Sequence, residues 1–455
     1  MPEFLTLLSP DEARSLLFRH LPDLQPAAEK LETHLALERV TAAPVRSPHP
    51  LPEFPRSTVD GYAVHAGDTF GASDSLPAYL KVIGEVPMGA EAQFALAPGE
   101  AAIIHTGGML PEGANAVVML ENTQNVQRVE RKERGENNNS PGTCVRGRCA
   151  LEIEVLRAVA DDENTIRVGE DVTEGQIVIP AGARIRPAEI GGLMALGITH
   201  LRVAMKPKVG IISSGDEIVP PERDPRPGQV RDINSYTLAA LVTRAGGEPV
   251  LYGIVPDTLA VLKTLVARAL GGCDLVVITA GSSASARDMT AEAIRSLGSP
   301  AVLVHGVNIR PGKPTILAVC DGKAVIGLPG NPVSALVVAG LFVVPLIERL
   351  LGLPIDRPRP TLMAKLTINI PSQAGREDWV AVKLHPSPAI GSPRGVLSPT
   401  GTMREGTGGE GEWLAEPIFG KSNLIFSLAA ADGLLRIPPD VTGLSAGEIA
   451  EVVLL

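Results

Sequence analysis

The hydrophobic pattern changes rhythm along the chain. Residues 9–40 place apolar side chains at Ala13, Leu16 and Leu17, then at Leu31, Leu35 and Leu37, the spacing of a helical face. Ser9 precedes Pro10 there, a cap followed by the residue best tolerated in a first turn. Prolines crowd residues 44–55 and predict an extended segment. From 57 to 125, short apolar runs (79–83, 101–104, 116–120) alternate with glycine turns and predict a small β module. Residues 124–162, which contain an Asn-rich run ending in Ser140-Pro141-Gly142, read as a flexible hairpin or insertion. Residues 174–182 and a predicted helix over 187–196 bring the chain back to its first unit.

Residues 206–351 behave differently. Apolar runs at 208–213, 249–255, 275–279, 302–307, 316–319 and 324–328 predict strands. Helical patterns at 235–245, 258–270, 290–297 and 332–351 fall among them. Such alternation implies crossover units and a mostly parallel sheet. After a Pro-rich linker at 354–360 the β rhythm returns at 361–370, 379–384 and 423–428. The expected fold is an α/β multidomain protein: a central doubly wound, mostly parallel sheet, a mixed helical/β domain, a small β module and a C-terminal β-barrel-like domain. The expected units are 1–46 with 175–205, then 47–174, 206–353 and 354–455. No internal repeat is visible.

Composition narrows the function. The net charge is −10 and aromatics are 3% of 455 residues, so neither a basic face nor a base-stacking platform for nucleic acid is expected. The start of the chain lacks the basic and apolar regions of a signal peptide, and the apolar run 333–347 is short for a bilayer and contains Pro345. A cytoplasmic protein without a membrane partner is expected. Four cysteines are too few for a disulfide framework, and Cys144 and Cys149 read as incidental thiols.

Chemistry is expected where parallel strands end, because loops and helix N-termini converge there. Three predicted strands run into Ser214-Gly215-Asp216-Glu217, into Gly281-Ser282-Ser283-Ala284-Ser285-Ala286-Arg287-Asp288, and into Pro329-Gly330-Asn331-Pro332-Val333-Ser334. Glycines let backbone amides approach an anion, and a helix N-terminus adds partial positive charge. Arg310-Pro311-Gly312-Lys313-Pro314 adds two cations on a stiff turn. Singly, each feature has a plainer reading. The serine loop can be an ordinary turn, Asp216 and Glu217 a solvated pair or a cap, Asp257 the cap of the next helix, and Arg310 with Lys313 a solvated basic turn. Together, after successive strands, they point to a phosphorylated ligand.

Further motifs carry a resemblance. Arg56-Ser57-Thr58-Val59-Asp60-Gly61-Tyr62-Ala63, His105-Thr106-Gly107-Gly108, Pro111-Glu112-Gly113-Ala114-Asn115-Ala116-Val117, Arg167-Val168-Gly169-Glu170-Asp171-Val172, Ser214-Gly215-Asp216-Glu217, Pro311-Gly312-Lys313-Pro314 and Leu328-Pro329-Gly330-Asn331-Pro332-Val333-Ser334 occur in one order across nearly the whole chain. They resemble the molybdopterin molybdenumtransferases, the MoeA family, also found as the E domain of gephyrin.

The resemblance implies insertion of molybdate into the dithiolene of adenylylated molybdopterin, with loss of AMP and participation of Mg²⁺. It implies a homodimer that takes substrate after an adenylyltransferase and serves molybdoenzymes. Asp60, Thr106, Asp171, Glu217, Asp257 and Asp288 are then the candidate catalytic residues, with Glu217, Asp257 and Asp288 as metal ligands. Ser214, Gly215, Gly281, Ser282, Ser283, Arg310, Lys313, Pro329, Gly330, Asn331, Pro332 and Ser334 are the candidate ligand contacts. Asp60, Asp171 and Thr106 also read as turn or strand-end residues without it. A non-catalytic pterin carrier is the alternative. The 281–288 loop departs from the family pattern: it is one residue shorter, with Ser282 and Ala286 in place of glycines and Arg287 brought next to the site. Arg310 stands where lysine is usual.

Overall fold

The computed structural model describes residues 7–127 apart from Leu24, residues 151–280, residues 284–387 apart from Asp356, and residues 413–455; in the helix opening at Ala284, side chains are described from Asp288 onward. The Cys144–Cys149 pair and the Gly281-Ser282-Ser283 turn lie outside the described residues.

The central sheet has six strands in the order Glu248–Val255, Lys208–Ser214, Leu275–Ala280, Lys323–Pro329, Ile316–Cys320, Pro300–His305. The first four are mutually parallel. Ile316–Cys320 runs antiparallel to both of its neighbours. Side chains alternate between two cores. Val277 faces one with the helices Asn234–Ala245 and Pro332–Leu350, whereas Val276 and Ile278 face the other with Leu259–Gly272 and Ala284–Arg295. Burial on both faces explains why these strands read as continuous apolar runs. The Pro332–Leu350 helix is the one described helix long and apolar enough to cross a membrane, yet Val338, Phe342 and Leu346 sit in the first core.

Ser9 caps the Pro10–His20 helix as expected. Its hydroxyl accepts from the Glu12 amide, and the Glu12 carboxylate accepts from the Ser9 amide. The helix stops there. Residues 28–32, expected as helix, form the strand Ala28–Glu32, antiparallel to His200–Ala204. Pro22 and Pro26 interrupt the apolar spacing that suggested otherwise, and Leu35 and Leu37 are exposed.

The β module has the strand order Ala116–Met119, Gly61–Val64, Glu100–Ile104, Ala78–Glu85, Leu151–Val155, Thr123–Gln127. Small cores cover both of its faces. In the C-terminal region, Thr361–Leu366, Glu377–Pro386, Trp413–Pro417, Gly433–Ile437 and Ile449–Leu454 close into a five-stranded barrel. The run expected as strand at 423–428 is instead the short helix Ile425–Ala429.

Candidate active site

Parallel register brings the expected loops to one edge. Ser214 pairs with Val255 and with Ala280, and Ala280 pairs with Pro329. These strand ends therefore lie side by side at one edge of the sheet. Ile316 lies opposite Gly327 in an antiparallel pair, so the Arg310–Lys313 turn, which leads into Ile316, opens at the same edge.

Glycine permits that turn. Gly312 has φ +117°, and a Cβ there would lie 2.3 Å from Val338 Cγ2. Thr315 Oγ1 donates to the Gly312 carbonyl at 2.6 Å, and the Lys313 carbonyl accepts from the amides of Val307 and Thr315. Lys313 itself is exposed, and its ammonium makes no hydrogen bond or ion pair among the described residues. Arg310 is partly committed. Ile309–Arg310 pairs in parallel with Glu377–Asp378 of the barrel, and the Arg310 guanidinium lies 4.0 Å from the Asp378 carboxylate. Asp378 is buried and receives two bonds from Arg376, at 2.7 and 2.9 Å.

Acidic and hydroxyl groups gather at the first two strand ends. Ser214 Oγ donates to Asp257 Oδ1 at 2.7 Å, and the Asp257 amide donates to Asp216 Oδ1 at 3.2 Å. Asp257 thus does not cap the next helix; Thr258 takes the N-cap position and makes no side-chain cap. Glu217 folds back over Gly215, where an added Cβ would stand 2.8 Å from Glu217 Oε2. Beneath, Ser213 Oγ lies 2.9 Å from Ser235 Oγ and 3.1 Å from Thr279 Oγ1. Asn234 Nδ2 donates to the Gly330 carbonyl at 2.8 Å, while its buried Oδ1 has no partner among the described residues. Asn331 precedes the Pro332–Leu350 helix, and its side chain bonds Ser422 at 3.1 Å rather than capping the helix. Pro332 and Ser334 are buried in the first turn of that helix.

Asp288 differs from expectation. The helix expected from 290 begins at Ala284, so Asp288 is its fifth residue rather than the end of a loop. Alanines at 284 and 286 favour helix where glycine would not. Asp288 is exposed and makes no hydrogen bond or ion pair among the described residues. No cluster of three or more His, Cys, Asp or Glu able to hold a metal occurs among the described residues. Mg²⁺ ordinarily takes one or two carboxylates and completes its shell with water and phosphate, so a cation at this edge would draw on single acidic side chains and not on a preformed cluster.

The second group of candidates sits on the β module. Asp60 Oδ1 accepts from the Thr106 amide at 2.7 Å and from its hydroxyl at 3.0 Å. The Thr106 amide, then its hydroxyl, with His105 adding charge, hold the Asp60 carboxyl below the usual range. The structure thus joins Asp60 to Thr106. Asp171 is exposed, and only its amide is bonded, to the Leu51 carbonyl. No hydrogen bond or ion pair links Asp60, Thr106 or Asp171 to the strand-end edge among the described residues.

Asn234 and Ser235 were not among the sequence candidates, and Asp216 entered only within the 214–217 strand-end motif. Their signal was the polar run Asp232-Ile233-Asn234-Ser235 opening a helix, together with the carboxylate beside Glu217.

Comparison with known proteins adds three matches to family models. They are described as "MoeA N-terminal region (domain I and II)" over residues 8–197, "Probable molybdopterin binding domain" over 210–349, and "MoeA C-terminal region (domain IV)" over 363–455. A molybdopterin molybdenumtransferase of Nostoc sp. is 32% identical, matching over 82% of this chain and 81% of its own length. One of Bacillus subtilis is 30% identical over 92% and 88%. The crystal structure of a molybdopterin biosynthesis MoeA protein from Pyrococcus horikoshii is similar with a TM-score of 0.74 at 35% identity, covering 99% of both chains.

Proposed function

The chain belongs to the MoeA family, and from that premise we propose that it inserts molybdate into the dithiolene of adenylylated molybdopterin, releasing AMP. The observation that carries this reading is the shared edge: Ser214, Val255, Ala280 and Pro329 in one register row, beside a basic turn whose ammonium has no partner among the described residues.

The chemistry demands that anions meet, since the substrate carries phosphates and molybdate is a dianion. Lys313, Arg310 and the helix N-terminus after Asn331 offset that repulsion. Glu217 and Asp257, with Asp216 beside them, would hold Mg²⁺ against the phosphates. When bound, the cation supplies charge neutralisation on the phosphate oxygens. Gly281, Ser282 and Ser283 would offer amides and hydroxyls to the pterin or phosphate, and Asp288 would approach from the next helix.

The working form is a cytoplasmic homodimer in which Asp60, Thr106 and Asp171 of one protomer close over the strand-end edge of the other. Such an arrangement excludes water and gives each half an incomplete site. An adenylyltransferase supplies the substrate, and molybdoenzymes consume the product.

The test is incubation with adenylylated molybdopterin, with and without molybdate, following AMP and metallated pterin. Molybdate-dependent AMP release is expected. Tight pterin binding without AMP release would instead make the protein a carrier.

A further inference from the structure

The β-module wall proposed to close the site carries more charge than Asp60 alone. Strand Glu100–Ile104 runs between Gly61–Val64 and Ala78–Glu85, with Ile104 opposite Gly61 and Ile103 opposite Glu85. His105, the next residue, therefore emerges between Asp60 and Glu85. Its Nε2 lies 3.0 Å from Glu85 Oε1 and its Nδ1 3.9 Å from Asp60 Oδ1. All three side chains are about half exposed, at 41% for His105, 57% for Asp60 and 55% for Glu85, so a ligand can reach them. Asp60 Oδ1 takes both Thr106 bonds, and Oδ2 makes none among the described residues.

We propose that His105 is a positioning residue whose imidazolium, held by Glu85, offsets the carboxylates of the Asp60 wall so that an oxyanion can approach it. The inference rests on the function proposed above. Asp60 and Glu85 are the charged side chains recorded against His105 from the flanking strands. With the imidazole protonated, the three groups sum to one negative charge; with it neutral, to two. Loss of that one positive charge should therefore weaken capture of a dianion at this wall and leave the chemistry after capture unchanged. One unit charge several ångströms away in a wet site changes affinity for a dianion by roughly threefold to tenfold.

The experiment measures AMP release against molybdate concentration at saturating pterin nucleotide for wild type, His105→Gln and His105→Lys. KM for molybdate should be roughly threefold to tenfold higher in H105Q than in H105K, with kcat within about twofold. Equal KM values for H105Q and H105K would overturn the proposal. A second arm needs no activity: in a carboxyl NMR titration the Asp60 midpoint should move up in H105Q, and an unmoved midpoint would overturn the coupling. Should wild type release no AMP with molybdate, the proposed function falls, and the NMR arm alone decides whether His105 sets the charge at Asp60.

Discussion

Lys313→Met removes one cation from the basic turn and little else. The Lys313 side chain is exposed and its ammonium is free of protein partners among the described residues, while the turn is held by backbone bonds and by Thr315. Surface substitutions of this kind usually change stability by less than about 0.5 kcal/mol. A hydrogen bond to a charged group contributes about 1.5–3 kcal/mol, so loss of a phosphate contact should weaken pterin-nucleotide binding by roughly 10- to 150-fold. Arg310→Met should cost less affinity, because Arg310 already faces Asp378. The assay is calorimetric binding of adenylylated molybdopterin at two or more salt concentrations, with thermal melting as the control. The K313M affinity should also depend less on salt. Unchanged affinity with an unchanged melting temperature would refute the placement of phosphate at this turn.

Other consequences concern the supporting framework. Gly312→Ala meets both a left-handed backbone and a 2.3 Å approach to Val338, and should lower unfolding free energy by about 2 kcal/mol or more in urea titration. Asp378→Asn breaks a buried ion pair with Arg376 and should cost about 3 kcal/mol by the same measurement. Phe342→Ala empties a fully buried position between helix and sheet, at a cost of about 3–5 kcal/mol. Asp60 has a depressed pKa in the folded chain, so its Thr106 bonds stabilise the ionised form above the ordinary carboxylate range and are lost as pH falls through the folded value. Thr106→Val removes the hydroxyl and keeps the stronger amide bond; the Asp60 midpoint should rise, though not fully to the ordinary value, by carboxyl NMR.

The central sheet was legible because its strands are buried on both faces. Leu275–Ala280 is entirely buried, so its apolar run stands out in any window. Strand Ala28–Glu32 was not, because its burial is partial and its partner His200–Ala204 lies far along the chain. The early start of the Ala284–Arg295 helix follows from the loss of glycines, a signal visible in the sequence but weighed there only as a changed loop. At the site, residue types revealed the acidic and basic candidates, whereas contacts depended on the fold. Ser214 finding Asp257, and Asn234 finding Gly330, join residues 43 and 96 positions apart. Asp60 with Thr106 is a similar case, created by the antiparallel pairing of Gly61–Val64 with Glu100–Ile104.

The most direct test of the two-sided site is complementation. Asp60→Asn and Glu217→Gln chains, differently tagged, are each assayed as homodimers and then as a purified mixed dimer for molybdate-dependent AMP release. If each site draws Asp60 from one protomer and Glu217 from the other, the homodimers lose activity and the mixed dimer recovers about half of the wild-type rate through its one intact site. A mixed dimer as inactive as its parents would contradict the account.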